Sequence, residues 1–419
     1  MAVPLSGGVK AMFGLRQYWW CLIVPVLLVA GALSMLSPGG IPNAATAPYA
    51  PRGGLSLHPS QAEVAGGGQV ATSVQAQESA HPAATPSSPA RGAAKPTRPV
   101  RMAAGPDVST PPAGPHLEPV AVTPVSYAVA LSQDALLPGS AYTVRGFSYT
   151  SPGAREVALL LHGFGFSQRE WDLPGASPDP QNPYTYSTAR FLAAHGIDAI
   201  TIDELGIGSS DHPAFLNARL LTIPAYASMT HQIVQSLHAR YQKVVLVGGS
   251  SGGEIANVEA GRYRDVDGLV NAGFCDLPLF SADLLAKNLG PLISGLVQPY
   301  VYFGGTIEGG DRLNFSPEAD PAVVAMDDRF VEQVPSAYAH TLTLQLGKAF
   351  VPLVNVPVLV AFGQQDAAWL PACQTAQAAL YLSSPSVSTF VLPGAGHALM
   401  LHRNAGAFES ELVRWLKVL

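Results

Sequence analysis

Ser250 stands in a stretch suited to presenting a hydroxyl. Residues 244–257 read VVLVGGSSGGEIAN, four apolar residues running straight into glycines and serines and then into a helix-compatible segment. Gly248-Gly249-Ser250-Ser251-Gly252 fits G-x-S-x-G, the pattern of a nucleophilic serine on a sharp strand-to-helix turn. Glycines belong there because bulkier side chains clash in so tight a turn and block approach to the hydroxyl. A second register, Gly249-Ser250-Ser251-Gly252-Gly253, fits as well. Ser250 is the preferred nucleophile, because it leaves Gly252 and Gly253 together at the helix start, where close packing is wanted. Ser251 then contributes only its backbone N–H.

A serine hydroxyl is a poor nucleophile near neutral pH. It needs a histidine to take its proton and an acid to orient that histidine. Asp366, in GQQDAAW, follows the apolar run VPVLVAFG, and His397, in PGAGHALMLHRN, follows SVSTFVLPG. Both fall at the carboxyl ends of expected strands, where side chains converge on one edge of a sheet. Asp276, in NAGFCDLP, is a rival acid and His402 a weaker base. Asp366 could instead cap a helix, and His397 could be a surface-loop histidine. The negative oxygen of an acyl intermediate needs two backbone donors. Ser251, at the N-terminus of a helix whose dipole helps, is one. Phe164, in His162-Gly163-Phe164, is the other, with the His162 ring bracing the loop.

These residues need a scaffold of strands and helices. VAVTPVSYAVA and SAYTVRGFSYT read as early antiparallel strands. Buried strands are expected at residues 157–161, in IDAITID ending near Asp203, in KVVLV, in GLVNAGF, at residues 356–362 and in SVSTFVLPG. Helical segments alternate with them. YSTARFLAAHG ends at Gly196, a plausible cap, and IPAYASMTHQIVQSLHARY puts Ile233, Val234 and Leu237 on one face. AFESELVRWLKVL closes the chain as an amphipathic helix. Alternating strands and helices imply a mostly parallel, doubly wound α/β sheet. Between GLVNAGF and VPVLVAFG about eighty residues show no clear strand, too many for a loop. A largely helical inserted cap is expected at about 276–351.

LLLHGF, IDELGIGSSD, VVLVGGSSGG, VLVAFGQQD and PGAGHALM together resemble the α/β-hydrolase superfamily, over about residues 120–419. The resemblance implies a capped serine hydrolase of esterase or lipase type, with Ser250, Asp366 and His397 as its triad and neither a metal nor an organic cofactor. The residue before the nucleophile is often histidine in that family and is Gly249 here, at a position where the pattern is free. The expected activity is hydrolysis of carboxylic esters or related acyl substrates, small or medium and partly apolar. Acyl transfer, C–C bond hydrolysis and peptide hydrolysis share such a site. A non-catalytic hydrolase-like binding protein is the alternative of another class.

The remaining features bear on location. Lys10 and Arg16 precede an almost unbroken apolar run at residues 18–36, long enough to span a bilayer. Residues 1–37 therefore read as a signal anchor, or as a signal peptide cut near Ala45-Thr46-Ala47. Residues 38–119, rich in Pro, Ala and Ser, read as a disordered linker, and 120–419 as the catalytic domain. Either reading makes the domain extracytoplasmic, membrane-anchored or secreted. Export permits a disulfide, and Cys275 and Cys373 are the exported pair. Both bridging and separate burial are open to them. The net charge of −6, without a long basic run, argues against nucleic acid as a partner. No cysteine spacing suggests a metal site.

Overall fold

The computed structural model describes residues 120–131, 140–173, 184–302 and 314–419. The apolar run at 18–36, the Ala45-Thr46-Ala47 sequence and the linker lie outside them. Among the described residues no helix is long and apolar enough to cross a membrane.

In chain order the strands are β1 (Ala121–Ala130), β2 (Ala141–Thr150), β3 (Glu156–Leu161), β4 (Asp198–Asp203), β5 (Lys243–Gly249), β6 (Gly268–Ala272), β7 (Tyr300–Tyr302), β8 (Gln333–Pro335), β9 (Val358–Gly363) and β10 (Val387–Leu392). The α-helices are α1 (Thr188–Ala194), α2 (Phe215–Ala218), α3 (Ile223–His238), α4 (Ser251–Tyr263), α5 (Ala282–Ser294), α6 (Pro321–Asp327), α7 (Ser336–Thr343), α8 (Cys373–Ala376) and α9 (Ala405–Leu416). Eight strands form one sheet in the order β1-β2-β4-β3-β5-β6-β9-β10. β2 runs against both β1 and β4, and every other neighbouring pair is parallel. The mostly parallel sheet follows from the helical crossovers between successive strands.

The apolar runs lack alternation because both faces of the sheet are covered. Leu159 and Leu161 of β3 enter one core with Ile233, Val234 and Leu237 of α3 and with Ile255 and Val258 of α4. Ala158 and Leu160 point to the opposite face. There they join Leu192 of α1 and Phe408 and Leu412 of α9. α1 stops where His195 caps it, and Gly196 then takes φ +84°, the left-handed turn that favours glycine.

Two expectations need correction. The strand expected at 356–362 starts two residues later, after Pro357, which has no N–H for the ladder. The stretch between β6 and β9 also holds two short strands, β7 and β8, paired antiparallel. Three residues each are too few to show a period. The same stretch holds α5, α6 and α7, and it ends in two 3₁₀ turns, Leu346–Ala349 and Val351–Leu353. Cys275, just past β6, is bridged to Cys373 of α8, with Cα atoms 5.8 Å apart. Both residues are fully buried.

Candidate active site

β5 delivers Ser250 to the first turn of α4. Ser250 adopts φ +47°, ψ −121°, a conformation uncommon for a residue with a side chain. The surrounding glycines are required by contact. A Cβ on Gly248 would lie 2.3 Å from the Gly252 carbonyl, and one on Gly252 would lie 2.4 Å from the Leu161 carbonyl oxygen. The chain can therefore turn over the end of β3 only without side chains at those two positions. The Ser250 N–H donates to the Ala272 carbonyl at 2.8 Å, tying the turn to β6.

The two serines have different surroundings. Ser250 is partly exposed. Ser251 is fully buried, and its Oγ accepts a hydrogen bond from the Tyr338 hydroxyl at 2.8 Å. Ser250 Oγ lies 2.8 Å from His397 Nε2, and His397 Nδ1 lies 2.8 Å from Asp366 Oδ2. A carboxylate only accepts, so Nδ1 carries the proton and Nε2 accepts from the serine hydroxyl. Burial pushes the His397 imidazolium down. The adjacent Asp366 carboxylate, as charge and hydrogen-bond acceptor, and then the Glu170 charge outweigh it, so its pKa is raised.

Asp366 caps no helix, since a bend and a short bridge follow it, but its carboxylate holds the turn after β9. Its Oδ1 accepts the Ala368 N–H at 2.9 Å, while Oδ2 serves the histidine. The loops carrying the acid and the base touch through their backbones, since a Cβ on Gly363 would come within 1.9 Å of the Gly396 carbonyl oxygen. The two weaker candidates are engaged elsewhere. Asp276 is fully buried, with Oδ2 accepting from Asn257 at 2.8 Å and Gln377 at 2.6 Å, and burial pushes its carboxyl up to about 7. His402 donates from Nδ1 to the Ala398 carbonyl, and its Nε2 accepts from Gly396 and Ser316 N–H groups. It braces the loop that holds His397.

The His162-Gly163-Phe164 turn lies against the serine. A Cβ on Gly163 would be 3.2 Å from the Ser250 Cβ. His162 donates from Nδ1 to the Gly163 carbonyl, and its Nε2 accepts the Glu204 N–H at 3.2 Å. Its ring thus braces the turn, and burial lowers its pKa. Phe164 packs edge-on against Tyr338, ring centroids 5.0 Å apart.

Sequence reasoning missed Glu170. It closes a 3₁₀ turn, Gln168–Glu170, capped by the Ser167 side chain, and it is 4% exposed. Its Oε2 accepts the Gly163 N–H at 2.5 Å, and its Oε1 would stand 3.0 Å from a Cβ on Gly249. A carboxyl thus lies directly behind both the serine turn and the Gly163 turn. Burial pushes it up to about 7, against the opposing pull of the Gly163 N–H and of His397. A glutamate between an arginine and a tryptophan reads as a solvated loop residue, so local sequence carries no signal for it.

A parallel sheet, a helix starting at a strained serine, and an acid and a base at successive strand ends together define a known architecture. A sequence model of the alpha/beta hydrolase family matches residues 158–410. The chain belongs to that family. Solved structures similar to this α/β hydrolase include an esterase from Thermogutta terrifontis, 22% identical over 70% of this chain and 98% of that one, with a TM-score of 0.51. A soluble variant of monoglyceride lipase from Saccharomyces cerevisiae is 15% identical over 66% of this chain and 91% of that one, TM-score 0.51. Rv0554 from Mycobacterium tuberculosis is 17% identical over 70% and 99%, TM-score 0.51. At such identities the likeness is one of fold. No curated protein sequence matches the chain.

Proposed function

We propose that this α/β hydrolase is a serine hydrolase cleaving carboxylic esters or related acyl substrates through an acyl-enzyme. The observation that carries the reading is the unbroken relay from Asp366 through His397 to Ser250, each link 2.8 Å. His397 takes the Ser250 proton as Oγ attacks the carbonyl carbon. The tetrahedral oxyanion is held by the Phe164 and Ser251 amides. The carbonyl re-forms, and the leaving alcohol departs with the proton from His397. Water, deprotonated by His397, then attacks the acyl-enzyme and releases the acid and the free serine. His397 must be neutral to begin, so activity rises as pH rises through its pKa, which Asp366 holds above the ordinary value.

The ester preference is supported by the esterase and the monoglyceride lipase among the proteins of like fold. A small or medium, partly apolar acyl group suits the apolar composition of the insertion between β6 and β9. We extend the proposal to location. Residues 1–37 anchor or export the chain, 38–119 form a tether, and the domain from 120 onward works outside the cytoplasm. The buried Cys275–Cys373 disulfide is in keeping with an oxidising compartment.

The test is labelling with a fluorophosphonate probe in wild-type, Ser250→Ala and Ser251→Ala proteins, followed by a chain-length series of p-nitrophenyl esters. Ser250→Ala is expected to abolish labelling and to cut kcat by about 10⁴–10⁶, while Ser251→Ala still labels. Labelling that survives in Ser250→Ala refutes the assignment of the nucleophile. Labelling without turnover of any ester refutes the substrate class.

A further inference from the structure

Away from Ser250, three side chains from α3, α4 and the turn after α4 meet at one point. They are His231, Glu259 and Asp265, and one ligand atom from each lies within 4.8 Å of the others. His231 Nδ1 is 2.8 Å from Asp265 Oδ2 and 3.8 Å from Glu259 Oε1. We propose that this is a binding site for one divalent first-row cation, Zn²⁺ being the best match to its donors. The proposal stands apart from the acyl chemistry.

What carries it is the concentration of buried polar atoms without hydrogen bonds. His231 Nδ1, both oxygens of Glu259 and Asp265 Oδ1 are all shut off from solvent, and none makes a hydrogen bond. The Glu259 side chain is 0% exposed. Buried oxygens without donors are costly, and native proteins rarely leave them so. Three such oxygens, two on Glu259 and one on Asp265, are more than the single His231 ring can serve, and a cation among them would satisfy the excess. The 2.8 Å contact between His231 and Asp265 is short but lacks hydrogen-bond alignment, and 3.8 Å to Glu259 is too long for one. Donors that share a Zn²⁺ at about 2.0–2.2 Å stand roughly 3–3.5 Å apart, and the observed 2.8 and 3.8 Å bracket that spacing.

The surroundings hold the donors in place. The His231 ring lies flat on Tyr263, centroids 4.0 Å apart and planes 8° off parallel. Gln235 Nε2 donates to Asp265 Oδ2, and His238 Nε2 contacts the Asp265 carbonyl at 2.6 Å. The His231 side chain is 28% exposed and that of Asp265 18%. Solvent thus reaches the outer edges of these two side chains, while Glu259 lies inside. One imidazole nitrogen with two carboxylates suits Zn²⁺ or Mn²⁺ better than Ca²⁺, which prefers six to eight oxygens. Bound there, the ion would pin α4, the helix that begins at Ser250, to α3.

The experiment uses the full chain, stripped with a chelator, and titrates ZnCl₂ by calorimetry and by the thermal unfolding midpoint. The expected result is one saturable Zn²⁺ per chain and a midpoint that climbs with Zn²⁺ concentration. Glu259→Gln, which keeps shape and removes only charge, and His231→Ala should each weaken binding at least about tenfold and flatten the midpoint response. No saturable binding to the wild type overturns the proposal. So does binding that both variants retain, which would place the ion elsewhere.

Discussion

Glu170 offers the sharpest test of the site's electrostatics. In the folded protein its carboxyl moves from an ordinary value of 4.5 up to about 7, and it is almost wholly buried. Each tenfold change in an ionisation constant is about 1.4 kcal/mol, so the shift corresponds to about 3 kcal/mol. The sign follows from the protons bound. Between pH 4.5 and about 7 the native state holds the Glu170 proton and the unfolded chain has lost it. Stability therefore falls as pH rises through this window and levels off above it. Glu170→Gln keeps a carbonyl oxygen to accept the Gly163 N–H and cannot ionise. Relative to wild type, its stability should improve by about 2.5 kcal/mol between pH 5 and pH 8. Burial also raises the carboxyls of Glu204, Glu254 and Asp276. Glu254 and Asp276 are common to both proteins and cancel in the comparison, whereas Glu204 and His397 feel the Glu170 charge and contribute a smaller coupled change. The assay is urea denaturation of both proteins at the two pH values, read as a difference of differences. A gap that stays constant to within about 0.5 kcal/mol would refute the claim that this carboxyl is desolvated against the serine turn.

Asp366→Asn should lower kcat by about 10³–10⁴ with little change in circular dichroism, because asparagine can still accept the Ala368 N–H but no longer balances an imidazolium. A loss under about tenfold would move the orienting role to another acid. Cys275 and Cys373 should stay unreactive to a thiol reagent in the native protein and titrate only after reduction. Their bridge closes a separation of 98 residues, so reduction should cost about 2–5 kcal/mol, seen as a lower denaturation midpoint. Two reactive thiols without reductant would contradict the bridge.

The parts that sequence revealed are those with short-range signatures. Glycines around Ser250 mark a turn that cannot carry side chains, and the apolar runs before Asp366 and His397 mark strands that end at one edge. Their meeting in space was legible because parallel strands present all their carboxyl ends together. Glu170 was not legible, because its place depends on a 3₁₀ turn folding back beneath Gly163 and Gly249, and nothing in SQREW specifies that contact. The same holds for His231, Glu259 and Asp265. They sit on two helices and a turn, and only helix packing brings them together. β7 and β8 were hidden for a different reason. Each is three residues long, and each finds its partner only once the other is placed.

The Cys275–Cys373 bond brackets the insertion and β9. Seen as a wiring diagram, the chain between those cysteines is a closed ring with Asp366 on it, while Ser250 lies upstream of the ring and His397 downstream. A protease that cuts anywhere on the ring opens it without releasing either piece. The nicked protein is a two-chain molecule whose serine-bearing and histidine-bearing parts stay covalently joined, separating on a denaturing gel only after reduction.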